Sequence, residues 1–203
     1  MELGPYGTVR AMPTKGPSGT VTRADWAAAA LVALRAGGPS AVRVEAIART
    51  LGVSKGSFYW HFADRRELLE TAIAAWEAES TEAIIAESER GEDAADKLRR
   101  LVSRVTRSFD GDVAPGELML YLEAEREGVR ESVERVVDRR LDYVAALLVE
   151  LGHDEAEAQR RAALAITVVV GAYQLVIGAP GPMSRRSLSH GAFADTLFGA
   201  LTR

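Results

Sequence analysis

The sequence contains no cysteine, so this chain of 203 residues has neither a disulfide nor a thiolate metal site. Histidine is scarce too: only His61, His153 and His190 are present, and no two of them have the spacing of a metal pair on a helix. No serine or aspartate is tied to these histidines by a catalytic motif, and no glycine-rich phosphate loop follows a strand. We therefore expect no metal, no cofactor and no enzymatic activity.

Strand-like alternation and long apolar runs are also missing. The most apolar stretch, from Ala163 to Ala179, has 17 residues with Gln174 inside it, fewer than the ~20 that a membrane helix needs. Residues 1–20 contain no apolar segment typical of a secretory signal. With 47% apolar and 27% charged residues, the composition is that of a soluble globular protein, and we expect it to be all-α, cytoplasmic and without a membrane partner.

The net charge of −4 is distributed unevenly along the chain. Residues 1–67 carry nine Lys and Arg against five Asp and Glu, a balance of +4, so the remainder carries −8. A basic head on an acidic body indicates that the head meets a polyanion. An uneven surface without function gives the same numbers, and charge alone does not separate the two interpretations.

Apolar spacing and capping residues predict about nine helices. Thr22 and Asp25 form an acidic variant of the capping box before the first helix, which Gly37 and Gly38 end. Asp64 is expected to cap the fourth helix and Ser54 the third. The other helices are predicted over about residues 44–51, 54–62, 94–109, 116–127, 130–151, 154–177 and 189–201.

The third predicted helix contains an unusual cluster of rings. The segment Gly52–Phe62, GVSKGSFYWHF, has an aromatic or heteroaromatic ring at each of its last five positions. At about 100° per residue, Phe58 and Phe62 share a core-facing side, whereas Tyr59 and Trp60 project away from it. These two rings either pack beneath a neighbouring domain or contact a partner.

Two short helices joined by a tight glycine turn are typical of a helix-turn-helix, whose second helix enters the major groove of DNA. On this interpretation Ser54 and the helix N-terminus face a phosphate, and Lys55 contacts a phosphate or a guanine edge. Tyr59 and Trp60 lie along the sugar-phosphate wall, and Arg65 contacts a further phosphate.

The segment Val44–Leu69, VEAIARTLGVSKGSFYWHFADRRELL, closely resembles the DNA-binding region of the TetR family of bacterial transcriptional repressors. The shared features are the "IA..LGVS" helix and turn, the "YWHF" end of the recognition helix, and a basic residue followed by "ELL". The family often has Thr or Ser at the start of the second helix, where this chain has Arg43 and Val44, so Arg43 is expected to supply a phosphate contact by charge. The predicted DNA contacts are Arg43, Val44, Ser54, Lys55, Gly56, Ser57, Tyr59, Trp60, His61 and Arg65.

The resemblance implies a three-helix DNA-binding domain followed by a larger helical domain that binds an effector and dimerises. We assign residues 1–20 to a flexible arm, 21–67 to the DNA-binding domain, with the helix-turn-helix at about 43–62, and 68–203 to the second domain. The implied partners are a palindromic double-stranded operator, a second copy of the chain and a small-molecule effector. The implied function is that of a repressor released from its operator by the effector.

Two groups of residues in the second domain are candidates for these roles, although ordinary helix packing also explains them. The candidate dimer interface consists of Val169, Tyr173, Val176, Phe193, Leu197 and Phe198. The candidate effector cavity is lined by Trp76, Phe109, Met119, Tyr121, Leu122, Glu123, Arg126, Tyr143 and Leu147. An alternative to the DNA-binding regulator is a helical adaptor whose basic head binds a protein, and it predicts binding that does not depend on DNA.

Overall fold

The computed structural model describes residues 20–107, 114–181 and 190–203. Within these ranges the chain forms nine α-helices and no strand, which confirms the predicted all-α class. The helices are α1 (Arg23–Gly37), α2 (Val44–Leu51), α3 (Arg65–Glu77), α4 (Ala83–Ser88), α5 (Ala94–Thr106), α6 (Pro115–Glu123), α7 (Arg130–Glu150), α8 (Glu155–Gly178) and α9 (His190–Thr202).

The described residues divide into two compact units. The N-terminal unit comprises residues 20–78 and 114–135, and the C-terminal unit comprises residues 79–107, 136–181 and 190–203. In the N-terminal unit α1 packs against α2, α3 and α6. In the C-terminal unit α5 packs against α4 and α9, and α9 also contacts α8.

The ends of α1 and α3 follow the predicted capping chemistry. The Thr22 hydroxyl accepts from the backbone N–H of Asp25, and the Asp25 carboxylate accepts from the backbone N–H of Thr22 at 2.8 Å, so the capping box is present. The Asp64 carboxylate accepts from the N–H of Glu67 at 2.8 Å and caps α3. Both predicted caps are confirmed, because each depends only on residues three apart in the chain.

The core of the N-terminal unit joins α1 to the segment after α2. Trp26, Phe58 and Phe62 are buried. The Trp26 and Phe58 rings meet edge to face at 5.3 Å, and Phe58 stacks on Phe62 at 5.6 Å. These aromatic contacts fix the segment that carries Phe58 and Phe62 against α1. Both rings face the core, as predicted.

That segment is a 3₁₀ helix over Lys55–Trp60, so the predicted α-helix at 54–62 is wrong in type. Its hydrogen bonds span three residues, as in Ser57 N–H to the Ser54 carbonyl at 3.1 Å. The stretch between the Gly52 turn and the Asp64 cap is too short to gain much from α-helical bonding, and the tighter helix suits short connections. Ser54 makes no side-chain cap, contrary to the prediction; instead its carbonyl accepts from the Ser57 hydroxyl at 2.9 Å.

Two glycines allow α6 to approach the C-terminal end of α1. Gly38 has φ of 77°, and a Cβ there would overlap Met119. A Cβ on Gly116 would overlap the carbonyl oxygen of Leu34 and lie 2.6 Å from the backbone nitrogen of Gly38. α6 therefore contacts the α1 backbone directly, which only glycine at position 116 permits.

α6 ends at Glu123 and α5 at Thr106, both earlier than the predicted ends at 127 and 109. After α6 the chain continues in turns to Gly128, whose φ of 72° is left-handed and redirects the backbone before α7. Residue 109 lies outside the described residues.

The C-terminal unit has a core of aliphatic and small side chains. Leu98, Leu148 and Leu201 are buried at its centre. Along α8, Ala158 and Ala162 are buried one turn apart, and small side chains at this spacing let neighbouring helices approach closely. These contacts hold α5, α7, α8 and α9 around one core.

α8 is long and apolar, and several of its apolar side chains are exposed in the described structure. It has 24 residues and a window of mean hydropathy 1.7, so by length and composition it could cross a membrane. The apolar stretch of 17 residues by itself was judged too short to do so. Leu164, Leu175 and Ile177 are exposed. Exposed apolar side chains on a helix also suit a contact between subunits.

Candidate nucleic-acid interface

Two large aromatic side chains project from the N-terminal unit into solvent. Tyr59 is 62% exposed and Trp60 is 87% exposed, although Phe58 beside them is buried. Rings left exposed next to a packed core are more informative than scattered surface apolar residues, because they mark interaction sites. The predicted orientation of these rings is confirmed, whereas their contact with DNA stays a prediction.

Lys55 lies beside these rings and forms an ion pair with Glu45, a residue that no sequence motif indicated. Its Nζ lies 2.5 Å from Oε1 of Glu45, in the first turn of α2. The hydrogen bond with Glu45 raises the pKa of Lys55, and the hydrogen bond from Lys55 lowers the pKa of Glu45. The predicted cation therefore lies in an exposed ion pair, with the two side chains 52% and 59% exposed.

The start of α2 presents one charged side chain and one buried one. Arg43 is exposed at the N-cap, where its Nε donates to the Ser40 carbonyl at 3.2 Å. No side chain caps α2, as expected without a hydroxyl residue at this position. Val44 is 7% exposed, so its predicted DNA contact is restricted to the backbone N–H at the free end of the helix.

The smaller predicted contacts divide into exposed and internally bonded groups. Ser54 and Gly56 are exposed, and Ser57 and His61 are half-buried. A Cβ on Gly56 would meet only the Ser54 hydroxyl at 3.6 Å. The backbone at Gly56 is therefore open to the close approach of a partner. The His61 carbonyl accepts from the Arg23 guanidinium.

Arg65 makes three polar contacts with other residues of the N-terminal unit. Its Nε donates to the Val42 carbonyl and its Nη2 to the Pro39 carbonyl, both at 2.7 Å. Its Nη1 lies 2.8 Å from Oε2 of Glu127. A phosphate at Arg65 would compete with three acceptors, and these contacts hold the loop between α1 and α2. These contacts were not predictable from local sequence patterns, because the partners lie more than twenty positions away along the chain.

Glu123, a predicted polar anchor of the effector cavity, instead binds this same loop. It accepts from the Ser40 backbone N–H at 3.0 Å and from the Ser40 hydroxyl at 3.3 Å, and it pairs with Arg126 at 2.8 Å. Burial would raise the pKa of Glu123, but these three donors outweigh it and hold the pKa below its ordinary value. The carboxylate is 6% exposed and links the end of α6 to the loop before α2.

We predict that Glu123→Ala lowers the free energy of unfolding by about 2 kcal/mol at neutral pH, because the Ser40 N–H loses its buried acceptor. Since the folded pKa of Glu123 is depressed, the wild-type advantage is present above the ordinary pKa range of Glu and is lost as the pH falls through the lowered value. Denaturant unfolding of both proteins between pH 7 and pH 3 measures this. A difference that persists unchanged at pH 3 contradicts the prediction.

The other candidate cavity residues fall in both units. Trp76 is buried in the N-terminal unit, and Leu147 is buried in the core of the C-terminal unit. Tyr143 donates to Glu89 at 2.6 Å and lies 3.0 Å from the Ser88 hydroxyl. Burial, with the Glu89 hydrogen bond, raises its pKa to about 12. Of the remainder, Met119 and Tyr121 are half-buried, Leu122 and Arg126 are exposed, and Phe109 lies outside the described residues.

The candidate dimer residues are only partly covered within one chain. Leu197 is 7% exposed and belongs to the core of the C-terminal unit, so most of its side chain is unavailable to a partner. The other five are half-buried: Val169, Tyr173, Val176, Phe193 and Phe198. Their role in an interface stays a prediction. Among the described residues there is no group of three or more acidic or histidine side chains placed to hold a metal ion.

Residues 27–72 match the family model of bacterial regulatory proteins of the tetR family. The match includes both exposed rings and the pair Lys55 and Glu45. No curated protein matches the sequence.

Solved structures share the fold over most of the chain. A transcriptional regulator from Rhodococcus sp. Rha1 superposes with a TM-score of 0.70 at 23% identity, over 89% of this chain and 96% of that one. FadR from Bacillus subtilis, in complex with stearoyl-CoA, gives a TM-score of 0.63 at 16% identity, over 87% and 96%. NalD from Pseudomonas aeruginosa, the secondary repressor of the MexAB-OprM multidrug efflux pump, gives 0.58 at 18% identity, over 88% and 96%.

Proposed function

We propose that this chain, a DNA-binding transcriptional regulator whose residues 27–72 form a DNA-binding region of the tetR type, is a repressor released from its operator by a small molecule. The resemblance predicted from the sequence is confirmed by the family match. The observation that carries the proposal is the exposed surface of Tyr59 and Trp60 beside Lys55, since side chains of these types bind phosphate and sugar along a groove.

A homodimer acting in the cytoplasm completes the proposed repressor. One head of this size contacts few base pairs, so a regulator of this kind reads two half-sites about one DNA turn apart and binds a palindromic operator. Exposed apolar side chains on α8 support a subunit contact, because Leu164, Leu175 and Ile177 are open to solvent at 55%, 51% and 39% in the described structure. Tyr173 and Val176 lie on the same helix, and Phe193 and Phe198 on α9.

Release by an effector requires a ligand that binds one arrangement of the two heads better than the other. A differential of ~1.4 kcal/mol changes the DNA affinity only about tenfold, so an effective inducer needs several times that. FadR is described in complex with stearoyl-CoA, and NalD as a repressor of an efflux pump. These proteins share the fold, and they support a small-molecule effector for this chain without specifying its chemistry.

Within the N-terminal unit, α6 offers a route by which such a change reaches the DNA-binding surface. Glu123 at the end of α6 binds Ser40, and Glu127 after it binds Arg65. Arg65 in turn holds the carbonyls of the loop before α2. We propose that a displacement of α6 moves this loop and, with it, the start of α2.

The proposal is tested by a mobility shift with DNA flanking the protein's own gene, repeated across salt concentrations. We expect specific binding that weakens steeply as the salt rises, because phosphate contacts release counterions. Lys55→Ala and Tyr59→Ala should each weaken binding to the specific site at every salt concentration.

Circular dichroism and sedimentation should show the helical content and the oligomeric state of both variants unchanged, since Lys55 and Tyr59 are exposed. Binding that is unaffected by either substitution would show that Lys55 and Tyr59 do not lie on the DNA-binding surface. If the protein binds no DNA at low salt but pulls down a protein through the same surface, the adaptor alternative is correct.

A further inference from the structure

The ion pair between Lys55 and Glu45 is unusual for a surface that meets a polyanion. Both side chains are more than half exposed, and exposed pairs of this kind contribute little to stability. A carboxylate 2.5 Å from the ammonium also neutralises the charge that a phosphate would need and repels the phosphate itself. Glu45 is exposed, so packing does not require it at this position. A contact between Lys55 and a phosphate would be stronger if Glu45 were absent.

The pair does suit the edge of a base pair in the major groove. Guanine presents O6 and N7 as acceptors, and cytosine presents its N4 amino group as a donor. O6 and N4 are hydrogen-bonded to each other within the base pair, so they lie side by side. Lys55 and Glu45 present a donor and an acceptor that are likewise side by side and one hydrogen bond apart.

We propose that Glu45 and Lys55 act together as the reader of one G·C base pair in each half-site of the operator. This inference rests on the proposed function. The ammonium has three donors, so Lys55 can keep its bond to Glu45 while it donates to guanine O6 and N7. The carboxylate then accepts from cytosine N4, and the ion pair enters the groove intact.

The same geometry discriminates against the other three base pairs. C·G and A·T present donor and acceptor in the reverse order, which places an amino group against the ammonium and an oxygen against the carboxylate. T·A has the correct order, but it sets a methyl group beside Lys55, where guanine has N7, and the acceptor N7 of adenine beside Glu45. G·C is therefore the best match of the four.

Selection of binding sites from random double-stranded DNA, with the full-length protein as bait, tests the inference. We expect the wild-type protein to select one G·C position in each half-site, and Glu45→Ala to lose the preference at that position while keeping the others. On the selected site the affinity of Glu45→Ala should fall about tenfold, in the range of one specific base contact. Glu45→Gln should accept adenine there, because an amide pairs with N6 and N7 of adenine.

Glu125→Ala is the matched control, because Glu125 also lies in an exposed pair, 2.5 Å from Arg130. It should leave the selected sequence unchanged. In the background of Lys55→Ala, the further substitution Glu45→Ala should have a smaller effect than alone, since the two residues read the base pair as a unit.

Two results would overturn the inference while leaving the proposed function intact. One is a Glu45→Ala protein that selects the same site as the wild type. The other is a Glu45→Ala protein whose affinity rises equally for all sequences. That result would mean that the Glu45 carboxylate only repels DNA and reads no base. If the wild-type protein selects no site at all, the proposed function fails and this inference with it.

Discussion

Replacement of Gly116 by alanine is expected to lower the free energy of unfolding by more than about 3 kcal/mol, the upper range for overpacking in a well-packed region. The added methyl group would overlap the Leu34 carbonyl and lie 2.6 Å from Gly38 N and 2.7 Å from the Arg35 carbonyl. All three neighbours are backbone atoms of α1 and its C-terminal cap, so no side chain can rotate away. Denaturant unfolding followed by circular dichroism measures the loss.

Gly191→Ala serves as the control, because a Cβ at this exposed helical position meets nothing within 4 Å among the described residues. It should be neutral or stabilising by up to about 1 kcal/mol, since alanine has the higher helix propensity. A Gly116→Ala protein as stable as the wild type would show that α6 does not pack directly against the α1 backbone. The route proposed from α6 to the DNA-binding surface would then lose its support.

Replacement of Trp60 by alanine is expected to weaken specific DNA binding about 30-fold without changing stability. Trp60 is 87% exposed, so its removal leaves no cavity in the fold. At an interface, a tryptophan that becomes buried typically contributes about 2 kcal/mol, which corresponds to this factor. A titration of the operator with wild-type and variant protein, paired with thermal unfolding, gives both quantities.

Leu122→Ala is the appropriate comparison, because Leu122 is also exposed, at 73%, and lies in the same unit outside the predicted DNA contacts. Its affinity for DNA should equal that of the wild type. If Trp60→Ala binds the operator as tightly as Leu122→Ala, Trp60 does not lie on the DNA-binding surface.

Features set by neighbouring residues were predictable from the sequence. The caps of α1 and α3 depend on residues three apart, and the division of rings into buried Phe58 and exposed Trp60 depends on one short segment. The type of helix over Lys55–Trp60 was not predictable from the same pattern. A 3₁₀ helix turns by about 120° per residue and an α-helix by about 100°, but a segment of six residues is too short for the apolar pattern to separate them, and the short connection decides.

The contacts that position the site were not predictable, because they join distant parts of the chain. Ser40 and Glu123 are 83 positions apart, and the acceptors of Arg65 lie on the loop before α2 and beyond α6. Glu123 and Arg65 carried the right chemistry, a buried carboxylate and a forked cation, but the sequence did not indicate their partners. Glu45 was missed for a related reason: a glutamate in the first turn of a helix already has an ordinary explanation in the helix dipole.

Because two of the three tryptophans are buried, the intrinsic fluorescence of the protein can report on the surface around the third. Of the three tryptophans, Trp26 and Trp76 are 0% and 1% exposed, and only Trp60 meets solvent. A soluble quencher such as acrylamide should therefore extinguish the emission of one indole and spare the other two. Because that indole lies on the proposed DNA-binding surface, the fraction of quenchable emission follows occupancy of the surface without any attached label.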